Sequence, residues 1–174
     1  MGYEVGASLV EESMLPEAKE LLDNPKIIIP KEVLVSENPD KPGRITSVNS
    51  ILKNEAIFDI SPSSLIDLEP FIKNAGTILW NGPMGFFEKE NFDKGTMGIA
   101  NMIISSKGFS VAGGGDTISA ADKAGVLIGA VVFECNAGNM SMVRSANVAI
   151  LKVFFFISNH LTRMAGSTIF PAWV

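Results

Sequence analysis

The sequence predicts an α/β protein built on a parallel sheet with helices covering both faces. Three observations carry that prediction. From Ile57 to Gly125, short apolar runs alternate with helix-compatible segments, the order that gives a parallel sheet with crossover helices. Thr77–Trp80 (TILW) is a compact apolar run of the kind buried inside such a sheet. Phe109–Thr117 (FSVAGGGDT) leads from an apolar run through three glycines into the helix-compatible ISAADKAG.

Composition sets the outer bounds. A chain of 174 residues, 47% hydrophobic and 19% charged, fits one globular domain with a sizeable core. Its net charge of −5 offers no basic footprint for nucleic acid and no polybasic membrane patch. Cys135 is the single cysteine, which excludes an internal disulfide framework and suits a reducing compartment. His160 is the single histidine, so a histidine-based metal site or triad has little material. No secretory leader is expected. The apolar runs Ala124–Phe133 and Val148–Ile157 are each too short to cross a bilayer.

Taken in order, Ser8-Leu9-Val10-Glu11 has the form of a capping box. It predicts a helix to about Leu22, kinked or broken near Pro16, with Val10, Met14, Ala18, Leu21 and Leu22 inward. Lys26–Ile29 and Val33–Val35 read as β-like runs separated by Pro30, and Ser36–Arg44 as a surface loop. Ala56–Ile60 is a short strand, and Ser61-Pro62-Ser63-Ser64 begins a helix through Ile72 that Gly76 should stop. After the strand Thr77–Trp80 comes the loop Asn81–Glu88 (NGPMGFFE). Asp93–Ser106 is then a predicted helix with Met97, Ala100, Ile103 and Ile104 facing inward.

Two loops concentrate the chemistry. In open α/β sheets ligands bind outside the carboxyl ends of the strands. The Asn81–Glu88 loop and the Gly113–Thr117 turn should share that edge. Glycines at a helix start allow a phosphate to approach the backbone N–H groups, and Asp116 stands where a phosphate-bound Mg²⁺ would take a carboxylate. No Gly-Lys-Ser/Thr ending makes this a Walker A loop, and Ile118 replaces the last glycine of the dinucleotide fingerprint. A tight turn in which Asp116 or Thr117 merely caps the helix explains this stretch equally well. Glu88 by itself is a carboxylate able to accept from paired hydroxyls, or else an ordinary exposed glutamate. The plain reading of Asn81 is a turn residue bonding its own backbone. Trp80, Phe86 and Phe87 read as core or pocket wall.

The segments WNGPMGFFE (Trp80–Glu88), KGT (Lys94–Thr96), GGGDT (Gly113–Thr117) and ADKAGV (Ala121–Val126), in this order, closely resemble bacterial-type phosphoglycerate kinase. GYEVGASLVEE (Gly2–Glu12) and FDISP (Phe58–Pro62) resemble the matching upstream stretches. The resemblance implies glycolytic phosphoryl transfer between 1,3-bisphosphoglycerate and ADP, with Mg²⁺, giving 3-phosphoglycerate and ATP. It further implies a cytoplasmic, typically monomeric enzyme of two Rossmann-like lobes, the C-terminal one binding nucleotide. Carried over by position, Phe58 resembles the apolar wall of the adenine pocket, and Asn81 and Pro83 nucleotide contacts. Glu88 resembles the carboxylate on the ribose hydroxyls. Gly114, Gly115 and Thr117 resemble the phosphate-binding turn, Gly115 also as a catalytic position, and Asp116 the Mg²⁺-associated carboxylate.

The sequence holds no counterpart of the family's phosphoglycerate-binding lobe, nor of the early nucleotide-lobe segment with its glycine-rich loop and lysines. Residues 1–126 are therefore expected to be a partial, incomplete C-terminal lobe. Residues 127–174, with Phe154-Phe155-Phe156, read as a divergent apolar tail such as a shifted frame, gene fragment or fusion would leave. By spacing, Asn136–Asn139 falls where the family has a further glycine-rich turn, with Gly138 as the one residue to stand in for it. The chain by itself is expected not to turn over, and to meet 3-phosphoglycerate only if the other lobe is supplied. The alternatives are a non-catalytic Mg-nucleotide-binding module and a non-functional fragment with an unpaired sheet edge.

Overall fold

A computed structural model describes residues 5–125 and the backbone of 148–151. The elements run α1 (Leu15–Leu22), β1 (Glu32–Ser36), β2 (Arg44–Ser47), β3 (Ala56–Ile60), α2 (Pro62–Asn74), β4 (Thr77–Asn81), α3 (Lys94–Ser105), β5 (Phe109–Gly113), α4 (Gly115–Lys123) and β6 (Val148–Leu151). They form an α/β arrangement with two three-stranded sheets. One is antiparallel in the order β2-β1-β3, and the other is parallel in the order β5-β4-β6. The stretches 126–133, Asn136–Asn139 and Phe154–Phe156, with Cys135 and His160, lie outside the described residues.

The parallel sheet is centred on β4, as its apolar run requires. Ile78 and Trp80, two residues apart, point into the main core, where they meet Leu68 and Ile72 of α2 and Ile99 and Ile103 of α3. Ser61 caps α2, its hydroxyl accepting from the Ser64 amide at 3.3 Å. A separate small core of Val33, Val35 and Ile51 lies against the antiparallel sheet.

Several expectations are corrected. Ala56–Ile60 is a strand, but it pairs antiparallel with β1 instead of joining the parallel sheet. The end of the turn-rich stretch holds β2: Arg44 and Ser47 bound a strand that pairs with β1. The first helix does not start at Ser8. Its hydroxyl accepts from the Ile57 amide at 2.9 Å, so a distant strand has taken the cap's oxygen. A single 3-10 turn, Glu12–Met14, precedes α1, and Pro16 stands in the first turn of α1, where its missing N–H costs nothing. Val10 accordingly lies exposed. Lys26–Ile29 forms no strand. Helix α2 ends because Ala75 turns extended toward β4, not through a left-handed Gly76. On α3 the inward face is Gly95, Thr96, Ile99, Ala100 and Ile103, which leaves Ile104 exposed.

Candidate functional site

β4 and β5 run parallel with Asn81 opposite Gly113, so both strands deliver their following loops to one rim. Beyond Gly113, Gly114 caps α4 at φ +87°, a conformation open to glycine and strained for other residues. Ile118 N–H bonds the Gly114 carbonyl as the first α-helical bond. The preceding amides of α4, up to Thr117, therefore have no partner inside the helix. A Cβ placed on Gly115 or on Gly82 would meet nothing within 4 Å. The two loops thus border open space at the helix start.

They are also bonded to each other. The Gly82 amide donates to Thr117 Oγ1 at 2.7 Å, and Trp80 Nε1 donates to the Gly82 carbonyl at 2.8 Å. Asn81 Oδ1 lies over the glycine turn, 3.3 Å from where a Gly114 Cβ would stand. The capping alternative for Thr117 is thereby answered. No side chain caps α4, and the fully buried Thr117 hydroxyl accepts from the neighbouring loop, with its own proton left to donate.

Glu88 is exposed at the far end of the loop. Its carboxyl is held above the usual glutamate range, chiefly by partial burial of the acid. The nearby Asp116 carboxylate adds to the rise, while Glu88's own N–H and Lys123 oppose it. Asp116 is therefore near enough for its charge to reach Glu88. Lys123 joins the ends of the site, its ammonium donating to the Phe87 carbonyl at 2.5 Å and pairing with Asp93 at 3.0 Å.

The remaining predicted residues lie deeper. Phe58 is buried, with its ring 4.9 Å from Phe92 and 6.3 Å from Phe86, at the base of the loop and not at the helix start. Pro83 is half-buried between Gly82 and the fully buried Met84. Trp80 and Phe87 are core residues. Among the described residues no three His, Cys, Asp or Glu side chains gather to hold a metal. An ion beside Asp116 would thus depend on phosphate oxygens and water for its other ligands, which suits Mg²⁺.

Three further residues shape the site. Thr96 and Lys123 sit inside the KGT and ADKAGV segments without a role legible from sequence. Asp59 interrupts the apolar strand AIFDI, and that break is its signal. It is fully buried, accepting from the Ile60 amide through Oδ1 and the Gly95 amide through Oδ2, each at 2.8 Å. Burial outweighs both bonds, and with Asp93 nearby its carboxyl is pushed up to about 7.

Residues 1–142 match the family described as "Phosphoglycerate kinase". The chain belongs to the phosphoglycerate kinase family. The phosphoglycerate kinase of Vibrio campbellii is 44% identical over 127 residues, covering 72% of this chain and 33% of that protein. Among solved structures, phosphoglycerate kinase from Coxiella burnetii superposes with a TM-score of 0.71 at 32% identity, over 76% of this chain and 36% of the other. The Pyrococcus horikoshii phosphoglycerate kinase gives 0.58 at 31% identity, over 66% and 29%. The chain therefore spans about a third of the length of the phosphoglycerate kinases it matches. Among the described residues, no helix is long and apolar enough to cross a membrane.

Proposed function

We propose that this chain carries part of the nucleotide lobe of a phosphoglycerate kinase. It would hold Mg-ADP or Mg-ATP between the Asn81–Glu88 loop and the start of α4. The observation that carries this reading is the hydrogen bond from the Gly82 amide to Thr117 Oγ1, which ties the two loops together at the start of α4.

In this reading Glu88 accepts from the paired ribose hydroxyls, as an acceptor-only carboxylate can. Phosphate oxygens take the unpaired amides of the exposed Gly115 and Asp116, with the partial positive charge of the helix end behind them. Gly115 leaves room for that approach, and the buried Thr117 serves the nucleotide by holding Gly82 beside it. Asn81 and Pro83 shape the loop beside the glycines, and Phe58 supports it from below as the family's adenine-pocket position. Mg²⁺, bound through the phosphates with Asp116 as protein ligand, would supply charge neutralisation. Phosphoryl transfer asks for positioning and electrostatic stabilisation more than covalent help, and this donor set is suited to both.

The overall reaction, between 1,3-bisphosphoglycerate and ADP in cytoplasmic glycolysis, belongs to this proposal. So does the expectation that 3-phosphoglycerate is engaged only when the rest of the enzyme is present. Calorimetric titration with Mg-ADP tests the nucleotide site: saturable heat that Glu88→Ala weakens supports it, and silence at millimolar nucleotide overturns it. In a coupled ATP-consumption assay with 3-phosphoglycerate, the 174-residue chain should show no turnover by itself. Robust turnover would refute its dependence on the other lobe.

A further inference from the structure

The Gly82–Glu88 loop is held by two threonines in equivalent places. Thr117 is the third residue of α4 and Thr96 the third of α3, and both side chains are fully buried. Thr117 Oγ1 accepts from Gly82 at the entry of the loop. Thr96 Oγ1 accepts from two successive amides in its middle, Met84 at 3.0 Å and Gly85 at 3.2 Å. The α3 start that carries Thr96 is itself fixed, because Asp59 accepts from the Gly95 amide. Glycine is needed at both neighbours of this carboxylate: a Cβ on Gly85 or Gly95 would come within 2.3 Å or 2.2 Å of Asp59 Oδ1. Below the loop, the Phe86 amide donates to the Phe58 carbonyl at 2.8 Å.

We infer that Thr96 is a positioning residue for the nucleotide: through the Met84 and Gly85 amides it sets where Glu88 stands relative to the start of α4. The inference rests on the nucleotide reading of the site, to which it adds a residue on the far side of the loop from the ligand. Met84 is fully buried, and its amide has no access to water as a substitute partner. Removing the Thr96 oxygen strands the buried Met84 N–H and takes the protein partner from the half-buried Gly85 N–H. A buried unpaired donor is costly enough to make the loop move. Glu88 lies three residues beyond Gly85, so that movement reaches the ribose position. Displacements of about 1 Å are enough to weaken a positioned contact severely.

Thr96→Val keeps the shape and removes the acceptor, whereas Thr96→Ser keeps the acceptor. Titration with Mg-ADP should show about tenfold weaker binding for Thr96→Val and recovery to within about twofold for Thr96→Ser. Amide hydrogen exchange should show the Met84 and Gly85 amides losing protection in the valine variant only. Unchanged affinity in Thr96→Val, or a serine variant as impaired as the valine one, overturns the inference. Unsubstituted protein gives a check that needs no variant to fold: Met84 and Gly85 amides exchanging as fast as those of an exposed loop also overturn it. If the unsubstituted chain binds no Mg-ADP, the nucleotide reading fails, and exchange at these two amides alone decides whether Thr96 holds the loop.

Discussion

Replacing Asp59 by asparagine tests the electrostatics beneath the site most directly. In the folded chain, burial of Asp59 raises its carboxyl from 3.8 to about 7 against the pull of two backbone N–H donors. A group whose folded pKa lies above its unfolded one binds the proton more tightly in the native state. Its stabilisation is complete below the unfolded value of 3.8 and is lost as pH rises through about 7. The loss amounts to about 4 kcal/mol once both states are ionised, a large part of the roughly 5–15 kcal/mol that holds typical domains together. The asparagine amide stays neutral throughout, at a pH-independent cost, because its NH2 faces either the Ile60 or the Gly95 N–H and can accept from neither. The slope with pH, not the offset, is the test. Urea unfolding followed by circular dichroism, on both proteins between about pH 4 and pH 8, gives the difference curve. That difference removes the titration of every other group, including Glu55, whose bidentate bond to Arg44 lowers its pKa and works in the opposite sense. Asp59→Asn should gain on the parent steadily as pH rises. A flat difference would refute the burial argument. One of opposite slope would show that the Gly95 and Ile60 amides win over desolvation.

Three other outcomes follow from the same geometry. Gly115→Ala should leave stability unchanged or raised by up to about 1 kcal/mol, since alanine favours a helix and its Cβ meets nothing. It should nevertheless weaken Mg-ADP binding measured by calorimetry, and equal affinity would mean that no ligand approaches that backbone. Glu88 must be ionised to accept from two hydroxyls, and its pKa is raised. Mg-ADP affinity should therefore fall on acidification sooner than an ordinary glutamate would dictate, and Glu88→Gln should flatten that part of the profile. Gly95→Ala drives a Cβ against Asp59 Oδ1 and to 2.7 Å from Ile60 Cγ1; it should lower stability by about 1–3 kcal/mol in the same urea experiment.

Some of the fold was legible from local chemistry. TILW could satisfy its apolar side chains only inside a sheet, and Ser61-Pro62 marked the start of α2 through a side-chain oxygen and a residue with no N–H. The strand-glycine-helix order fixed the start of α4, because a left-handed backbone at Gly114 needs a residue without a Cβ. Ser8-x-x-Glu11 carried an equally good local signal, yet it failed. The Ser8 hydroxyl found the Ile57 amide, a partner far away in sequence that no local pattern contains. AIFDI showed a strand but not its sheet, because strand pairing is decided by neighbours brought from β1.

By itself, then, the sequence determined the kinship, the parallel core around β4 and the two glycine-bearing loops at its edge. These depend on residue types whose backbone or burial preferences act within a few positions. Only the tertiary structure decided how the loops are joined. Thr117 holds Gly82, Thr96 holds Met84 and Gly85, and Lys123 holds Phe87. These bonds span between 11 and 36 residues of chain. A threonine hydroxyl or a lysine ammonium will serve any well-placed partner, and its choice is made by folding alone.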